Sequence, residues 1–120
     1  MKIEIPGIDV KRGLDLYDDD EEIYLAVLRS YATNIPTTLA KLQNPSAETL
    51  PTYMIGIHGL KGTSANIGAE DIRTKATELE KMAKSGDLAG VQARNADFLK
   101  QAEKLVTDIK AWLEKNDPDA

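Results

Sequence analysis

The sequence predicts an all-α fold, an antiparallel up-down bundle of four helices with a short N-terminal helix that covers one end. Four long stretches repeat apolar residues at the three-to-four spacing of an amphipathic helix, and none alternates with period two for long. The connections between these stretches are short, which favours antiparallel neighbours. A chain of 120 residues is expected to form a single domain, 1–120, around one core.

The N-terminal segment predicts a turn followed by one short helix. Pro6-Gly7 marks the turn. A short apolar pattern follows it, formed by Ile8, Val10, Leu14 and Leu16. This helix is expected to cover one end of the core.

The first long helix is predicted to begin after the acidic run Asp18 to Asp20, which supplies natural N-caps, and to end near Leu42. Its apolar residues lie at helical spacing; they are Ile23, Val27, Tyr31, Ile35, Leu39 and Leu42. Pro36 lies within this pattern, where it removes one backbone hydrogen bond and clashes with the preceding turn. We therefore expect a kink or a brief break at Pro36.

Proline and glycine bound the second long helix. Pro51 is acceptable only in the first turn of a helix. We expect this helix to run to about Asn66 and to stop at Gly68, since glycine can adopt positive φ. The third helix, roughly 69–84, is defined by Ile72, Ala76, Leu79 and Ala83.

The last helix is the longest and follows Ser85-Gly86-Asp87, which ends one helix and caps the next. One face persists for about 25 residues; its members are Leu88, Val91, Asn95, Phe98, Ala102, Leu105, Ile109 and Trp112. Asn95 is the sole polar member of that face. The tail from Lys115 to Ala120 is polar, and we expect it to fray.

Composition excludes several classes of function. The net charge is −5, from 15 basic and 20 acidic residues, and no basic stripe suits a nucleic acid. The chain has no cysteine and one histidine, so no disulfide, thiol or cysteine-bound zinc chemistry is possible, and no metal site is expected. With no signal peptide pattern and no membrane-spanning apolar run, we expect a free-standing cytoplasmic protein.

The single histidine, His58, is predicted to point away from the core of the second long helix. At about 100° per residue, the core side holds Tyr53, Ile57, Leu60, Ser64 and Ile67. Within about 60° of His58 lie Pro51, Met54, Ile55, Lys61, Gly62 and Ala65. The imidazole therefore lies on a face that mixes apolar residues with one lysine.

A lone histidine is by default a surface residue of no consequence, but two features here favour a reactive one. Gly62 costs the helix ~1 kcal/mol relative to alanine, and it leaves open space beside the imidazole. Lys61 can place its ammonium next to an anion on the ring. The remaining apolar residues of this face are either the margin of the core or a docking patch for another protein; they are Pro51, Met54, Ile55 and Ala65.

The segment from His58 to Ala69, with Leu79-Glu80 and Gly86-Asp87, resembles the histidine-containing phosphotransfer (Hpt) domain family. Further residues also fit; they are Gly7-Ile8-Asp9, Gly13-Leu14 and Tyr24. The family fold is a four-helix bundle with an exposed histidine in mid-helix. The resemblance thus covers nearly the whole chain and agrees with the periodicity.

The resemblance implies a monomeric phosphorelay intermediate without autokinase activity. A phospho-aspartate on a response-regulator receiver domain would donate to Nε2 of His58, which would pass the phosphoryl group to another receiver; a hybrid sensor histidine kinase is the implied upstream partner. Lys61 would neutralise the phosphate, and Gly62 would give clearance. Glu80 and Lys84 would approach the histidine, although a glutamate there repels phosphate unless it orients the ring or Lys61. The receiver would supply Mg²⁺, so this chain needs no cofactor.

Other functions fit the residues less well. Lys61-Gly62-Thr63 reverses the lysine order of a nucleotide-binding loop, and no strand precedes it. An autophosphorylating kinase would need an ATP-binding domain that 120 residues cannot hold. Two alternatives stay open, a phosphorylation-independent adaptor that binds a receiver through the apolar patch and a plain structural bundle.

Overall fold

The computed structural model describes residues 2–116 and is built from α-helices. The helices are α1 (Val10–Asp15), α2 (Glu21–Lys41), α3 (Leu50–Ala65), α4 (Glu70–Lys84) and α5 (Leu88–Asn116). The predicted bounds of the four long helices agree to within a few residues. Helix α5 contains Lys115, where fraying was expected, and residues 117–120 lie outside the described part of the chain.

The four long helices form the predicted bundle. Each packs against two others in a ring, with α2 against α3 and α5, and α4 against α3 and α5. At 1.5 Å per residue, the 29 residues of α5 span about 43 Å, which accounts for the 46 Å long axis of the molecule. In residues 2–116, no helix is both long and apolar enough to cross a membrane.

The N-terminal segment covers one end of the bundle, as predicted. Ile3 and Ile5 are buried in the core. The backbone N–H of Asp9 donates to the carbonyl of Gly68 at 2.8 Å, which ties the start of α1 to the turn between α3 and α4. Gly68 has φ +81°, the left-handed conformation expected of it.

Helix α2 begins where the sequence predicts but continues through its proline. The Asp20 carboxylate accepts a hydrogen bond from the backbone N–H of Ile23 at 3.2 Å and caps the helix. Pro36 is exposed and the helix is unbroken there, so the predicted break is wrong, while the kink stays a prediction. Burial of Ile35 and Leu39 on either side offsets the lost hydrogen bond.

The apolar spacing of α2 overestimates its buried face in one place. Ile23 was assigned to the apolar face and is 49% exposed. The next residue, Tyr24, is fully buried, and its hydroxyl donates to the carbonyl of Ile67 at 2.7 Å. Tyr24 therefore takes the core position at the start of α2, because its buried hydroxyl has a carbonyl to donate to.

Buried hydrogen bonds fix how α3 is rotated about its axis. Tyr53 donates to Asn95 Oδ1 at 2.7 Å, and the Asn95 amide donates to the carbonyl of Leu42 at 2.8 Å. The hydroxyls of Tyr31 and Ser64 lie 2.9 Å apart, and burial raises the pKa of Tyr31 to about 12. Because Tyr53 and Ser64 lie on the core side of α3, these contacts turn the opposite side to solvent.

Candidate functional site

His58 lies in the middle of α3. Its neighbours Ile57 and Leu60 are buried, whereas the His58 side chain is 67% exposed. The prediction that this imidazole points away from the core is confirmed. The helix holds the position of the ring, and the ring itself remains accessible.

Helix α4 places one buried carboxylate against the imidazole. Glu80 Oε2 lies 2.5 Å from His58 Nδ1, and Glu80 Oε1 accepts a hydrogen bond from Lys61 Nζ at 2.7 Å. The Glu80 side chain is only 6% exposed. One carboxylate thus bridges the histidine and the lysine and holds both side chains on one side of α3.

The charge state of Glu80 determines which ring nitrogen can react. The hydrogen bond from Lys61 lowers the pKa of Glu80, helped by His58, while burial opposes the shift. Glu80 is therefore ionised at neutral pH and can only accept hydrogen bonds. Nδ1 of His58 must donate, and in the neutral ring this leaves the lone pair on Nε2, which has no hydrogen-bond partner among residues 2–116.

The lowered pKa of Glu80 predicts acid-dependent stability. A carboxylate with a depressed folded-state pKa stabilises the fold above its unfolded value, near 4.5, and loses that contribution as pH falls through the folded value. Glu80→Gln should cost roughly 1–3 kcal/mol at neutral pH, because two charge-assisted hydrogen bonds weaken. Urea unfolding of the wild type and of Glu80→Gln should show that their difference in the free energy of unfolding becomes smaller below about pH 4.5. A difference that stays constant to pH 3 would contradict this interpretation.

The other side of the ring is open. A Cβ added to Gly62 would meet no atom of residues 2–116 within 4 Å, so the predicted space beside the imidazole is present in the described part of the chain. The same holds for Gly59, to which the sequence analysis gave no role. Ile55, on this side of α3, is 73% exposed. The sequence feature that could have pointed to Gly59 is its spacing of three from Gly62. This spacing puts two helix-destabilising glycines on one exposed face.

The remaining predicted site residues are spread along the exposed side of α3 and along α4. Pro51 is exposed, while Met54 and Ala65 are half-buried, and Met54 packs against the core. The Lys84 side chain is exposed one turn beyond Glu80, and its ammonium forms no hydrogen bond or ion pair with residues 2–116. The structure thus brings the side chains of Glu80 and Lys61 together with His58, and no side-chain hydrogen bond or ion pair links Lys84 to them.

The arrangement suits a nucleophile more than a metal site. Within the described part of the chain, no three acidic, histidine or cysteine side chains come close enough to hold a metal ion. The exposed ring nitrogen and the neighbouring ammonium instead fit attack on an anionic electrophile.

Comparison with known proteins gives two matches. The sequence model of the family described as "Hpt domain" matches residues 26–112. The chain is also 26% identical over 106 residues to the phosphorelay intermediate protein rdeA of Dictyostelium discoideum, an alignment that covers 85% of this chain and 42% of rdeA. The chain therefore matches less than half the length of that relative. No solved structure matches significantly.

Proposed function

As a member of the Hpt domain family, this chain acts in phosphotransfer signalling, and we propose that His58 is the residue that carries the phosphoryl group. The donor is a phospho-aspartate on a response-regulator receiver domain, and the acceptor is an aspartate on another receiver. The observation that carries this proposal is the contact between His58 Nδ1 and Glu80, which directs the Nε2 lone pair to solvent.

The chemistry at His58 is one displacement at phosphorus. Nε2 attacks the phosphorus atom, the bond from phosphorus to the aspartyl oxygen breaks, and the carboxylate leaves with the bonding electrons. Onward transfer is the same step in reverse, with a second aspartate as nucleophile. Such transfers depend on positioning and neutralisation of charge, since the protein has little covalent work to do.

Three neighbours of His58 support the transfer. The Lys61 side chain is 29% exposed, and its ammonium binds the same carboxylate as His58. It therefore lies close enough to neutralise part of the charge of a phosphoryl group on the ring. Gly62 leaves the approach to the ring open. Lys84, whose ammonium is unpaired within residues 2–116, supplies a second cation to the docked complex.

The receiver brings the remaining parts of the reaction. It supplies Mg²⁺ and the acidic pocket, so this chain contributes neither metal nor ATP and has no autokinase activity. The receiver docks on the apolar patch formed by Pro51, Met54, Ile55 and Ala65, of which Ile55 is 73% exposed. A hybrid sensor histidine kinase provides the first phosphoryl group in the relay.

The proposal is tested by incubating the chain with a panel of receivers labelled with ³²P on aspartate. At least one receiver should transfer label to this chain within seconds, and the chain should return label to a second receiver. A phosphorylation-independent adaptor would bind a receiver in the same experiment without acquiring label. Binding without label, for every receiver that binds, would reject phosphotransfer.

Replacement of Lys61 with alanine should slow transfer while preserving the fold. Loss of the ammonium removes one charge-assisted contact to the phosphoryl group, which corresponds to a rate about 10–100 times lower. The free energy of unfolding should fall by about 1–3 kcal/mol, because the buried Glu80 carboxylate loses its hydrogen bond from Lys61. Rapid-quench transfer assays and urea unfolding would measure both.

Lys100→Ala, at an exposed site on α5, is the matched control and should change neither quantity. If Lys61→Ala transferred at the wild-type rate but unfolded several kcal/mol more easily, Lys61 would be structural.

A further inference from the structure

Glu80 imposes a constraint on the phosphorylated form of His58. A neutral imidazole carries one N–H, so once Nε2 is bonded to phosphorus, the neutral ring has a bare lone pair on Nδ1. That lone pair would face Glu80 Oε2 across a distance of 2.5 Å. An ionised carboxylate also offers only lone pairs. Two acceptors at this separation repel, and the carboxylate is buried, so one of the two groups must hold a proton.

The surroundings favour a proton on the ring. Glu80 Oε1 already accepts from Lys61 Nζ, and this hydrogen bond stabilises the ionised carboxylate. Glu80, from α4, is the charged group in contact with the ring, and Lys61, from α3, contacts Glu80. Lys84 lies one turn beyond Glu80 on α4. Within residues 2–116, only Glu80 forms a hydrogen bond or ion pair with the ring itself.

We propose that Glu80 keeps the proton on Nδ1 after phosphorylation, so that His58 carries its phosphoryl group as a phosphoryl-imidazolium that transfers readily. This inference rests on the function proposed above. When the Nε2–phosphorus bond breaks, Nε2 takes both electrons and a neutral imidazole leaves, with its proton still on Nδ1. Phosphorus bonds to a receiver carboxylate, or to a water oxygen that loses its proton to solvent. Glu80 acts through the ring and is a positioning residue.

The protonation state can be observed directly in the wild-type protein. Potassium phosphoramidate, a small donor that releases ammonia, would phosphorylate His58 in ¹⁵N-labelled protein without a receiver. At about pH 8, where an unpaired imidazole is neutral, Nδ1 should give the ¹⁵N resonance of a protonated ring nitrogen. A resonance typical of an unprotonated ring nitrogen would overturn the inference.

The lifetime of the phosphorylated protein gives a second measurement. In Glu80→Gln, the amide can turn its NH₂ group toward Nδ1 and stabilise the neutral ring. Loss of the charge-assisted hydrogen bond should lengthen the lifetime at about pH 8 by roughly tenfold. The variant's lifetime should increase between about pH 6 and 8, whereas the wild-type lifetime should change little.

Glu78→Gln is the matched control, because the Glu78 side chain is on the same helix and 55% exposed. The phosphorylated form of this variant should hydrolyse at the same rate as the phosphorylated wild type. Equal lifetimes for wild type and Glu80→Gln across this pH range would overturn the inference. A phosphorylated His58 with a bare Nδ1 would overturn it while leaving the phosphotransfer proposal intact. Failure of both phosphoramidate and phosphorylated receivers to modify His58 would overturn both proposals.

Discussion

A His58→Gln variant is expected to accept no label from a phosphorylated receiver that labels the wild-type protein. Glutamine has no ring nitrogen to attack phosphorus, so transfer should fall to the assay background, a loss of at least about 10³-fold. The fold should be retained because the His58 side chain is 67% exposed. Phosphoprotein gels and thermal unfolding would measure the two quantities.

The control for this variant is receiver binding. Because the apolar patch is unchanged, the variant should bind the same receiver with an affinity close to that of the wild type. Equal labelling of variant and wild type would assign the phosphoryl group to another residue. A melting temperature lowered by many degrees would instead show that His58 has a structural role.

A Gly68→Ala variant is expected to lose roughly 2–4 kcal/mol of stability. Gly68 has φ +81°, which costs an L-residue with a Cβ about 1–2 kcal/mol. Its Cβ would also overlap the carbonyl of Asp9, where the N-terminal segment is tied to the turn between α3 and α4. Displacement of that segment would uncover Ile3 and Ile5. Urea unfolding measures the loss.

The Gly86→Ala variant separates the cost of the positive φ from the cost of the steric overlap. Gly86 has φ +77°, but a Cβ added to it would meet no atom of the described residues within 4 Å. This variant should therefore lose only the conformational term, about 1 kcal/mol. If both variants were equally destabilised, the contact of the N-terminal segment with Gly68 would contribute nothing to stability.

Helix boundaries could be predicted because the signals for them are local. The Asp20 carboxylate caps α2 through a residue three positions away, and Asp87 does the same for α5, where it accepts from the Gly90 N–H. Gly68 ends the turn after α3 with positive φ, as its residue type allows. None of these features needs knowledge of the distant chain.

Features that depend on packing were predicted less well. The local rule for Pro36 predicted a kink or a brief break, and the helix continues without a break because its neighbour Ile35 is buried. Ile23 follows the apolar spacing and still faces solvent, since Tyr24 fills the core position. Spacing reports which residues could be buried, whereas the shape of the neighbouring helices decides which of them are.

The candidate site shows the same division. The exposure of His58 and the space beside Gly62 followed from angles around one helix. The bridging position of Glu80 could not be predicted in this way, because it depends on how α4 is placed against α3. The sequence left two roles open for that glutamate, orienting the ring or holding the lysine, and in the structure it contacts both His58 and Lys61.

The most direct test of this account is the position of phosphorus on the ring. After transfer from a labelled receiver, alkaline hydrolysis and chromatography distinguish Nε2-phosphohistidine from the Nδ1 isomer. Because Glu80 is hydrogen-bonded to Nδ1, we expect the Nε2 isomer, formed on His58. Recovery of the Nδ1 isomer, or of label on a residue other than histidine, would contradict it.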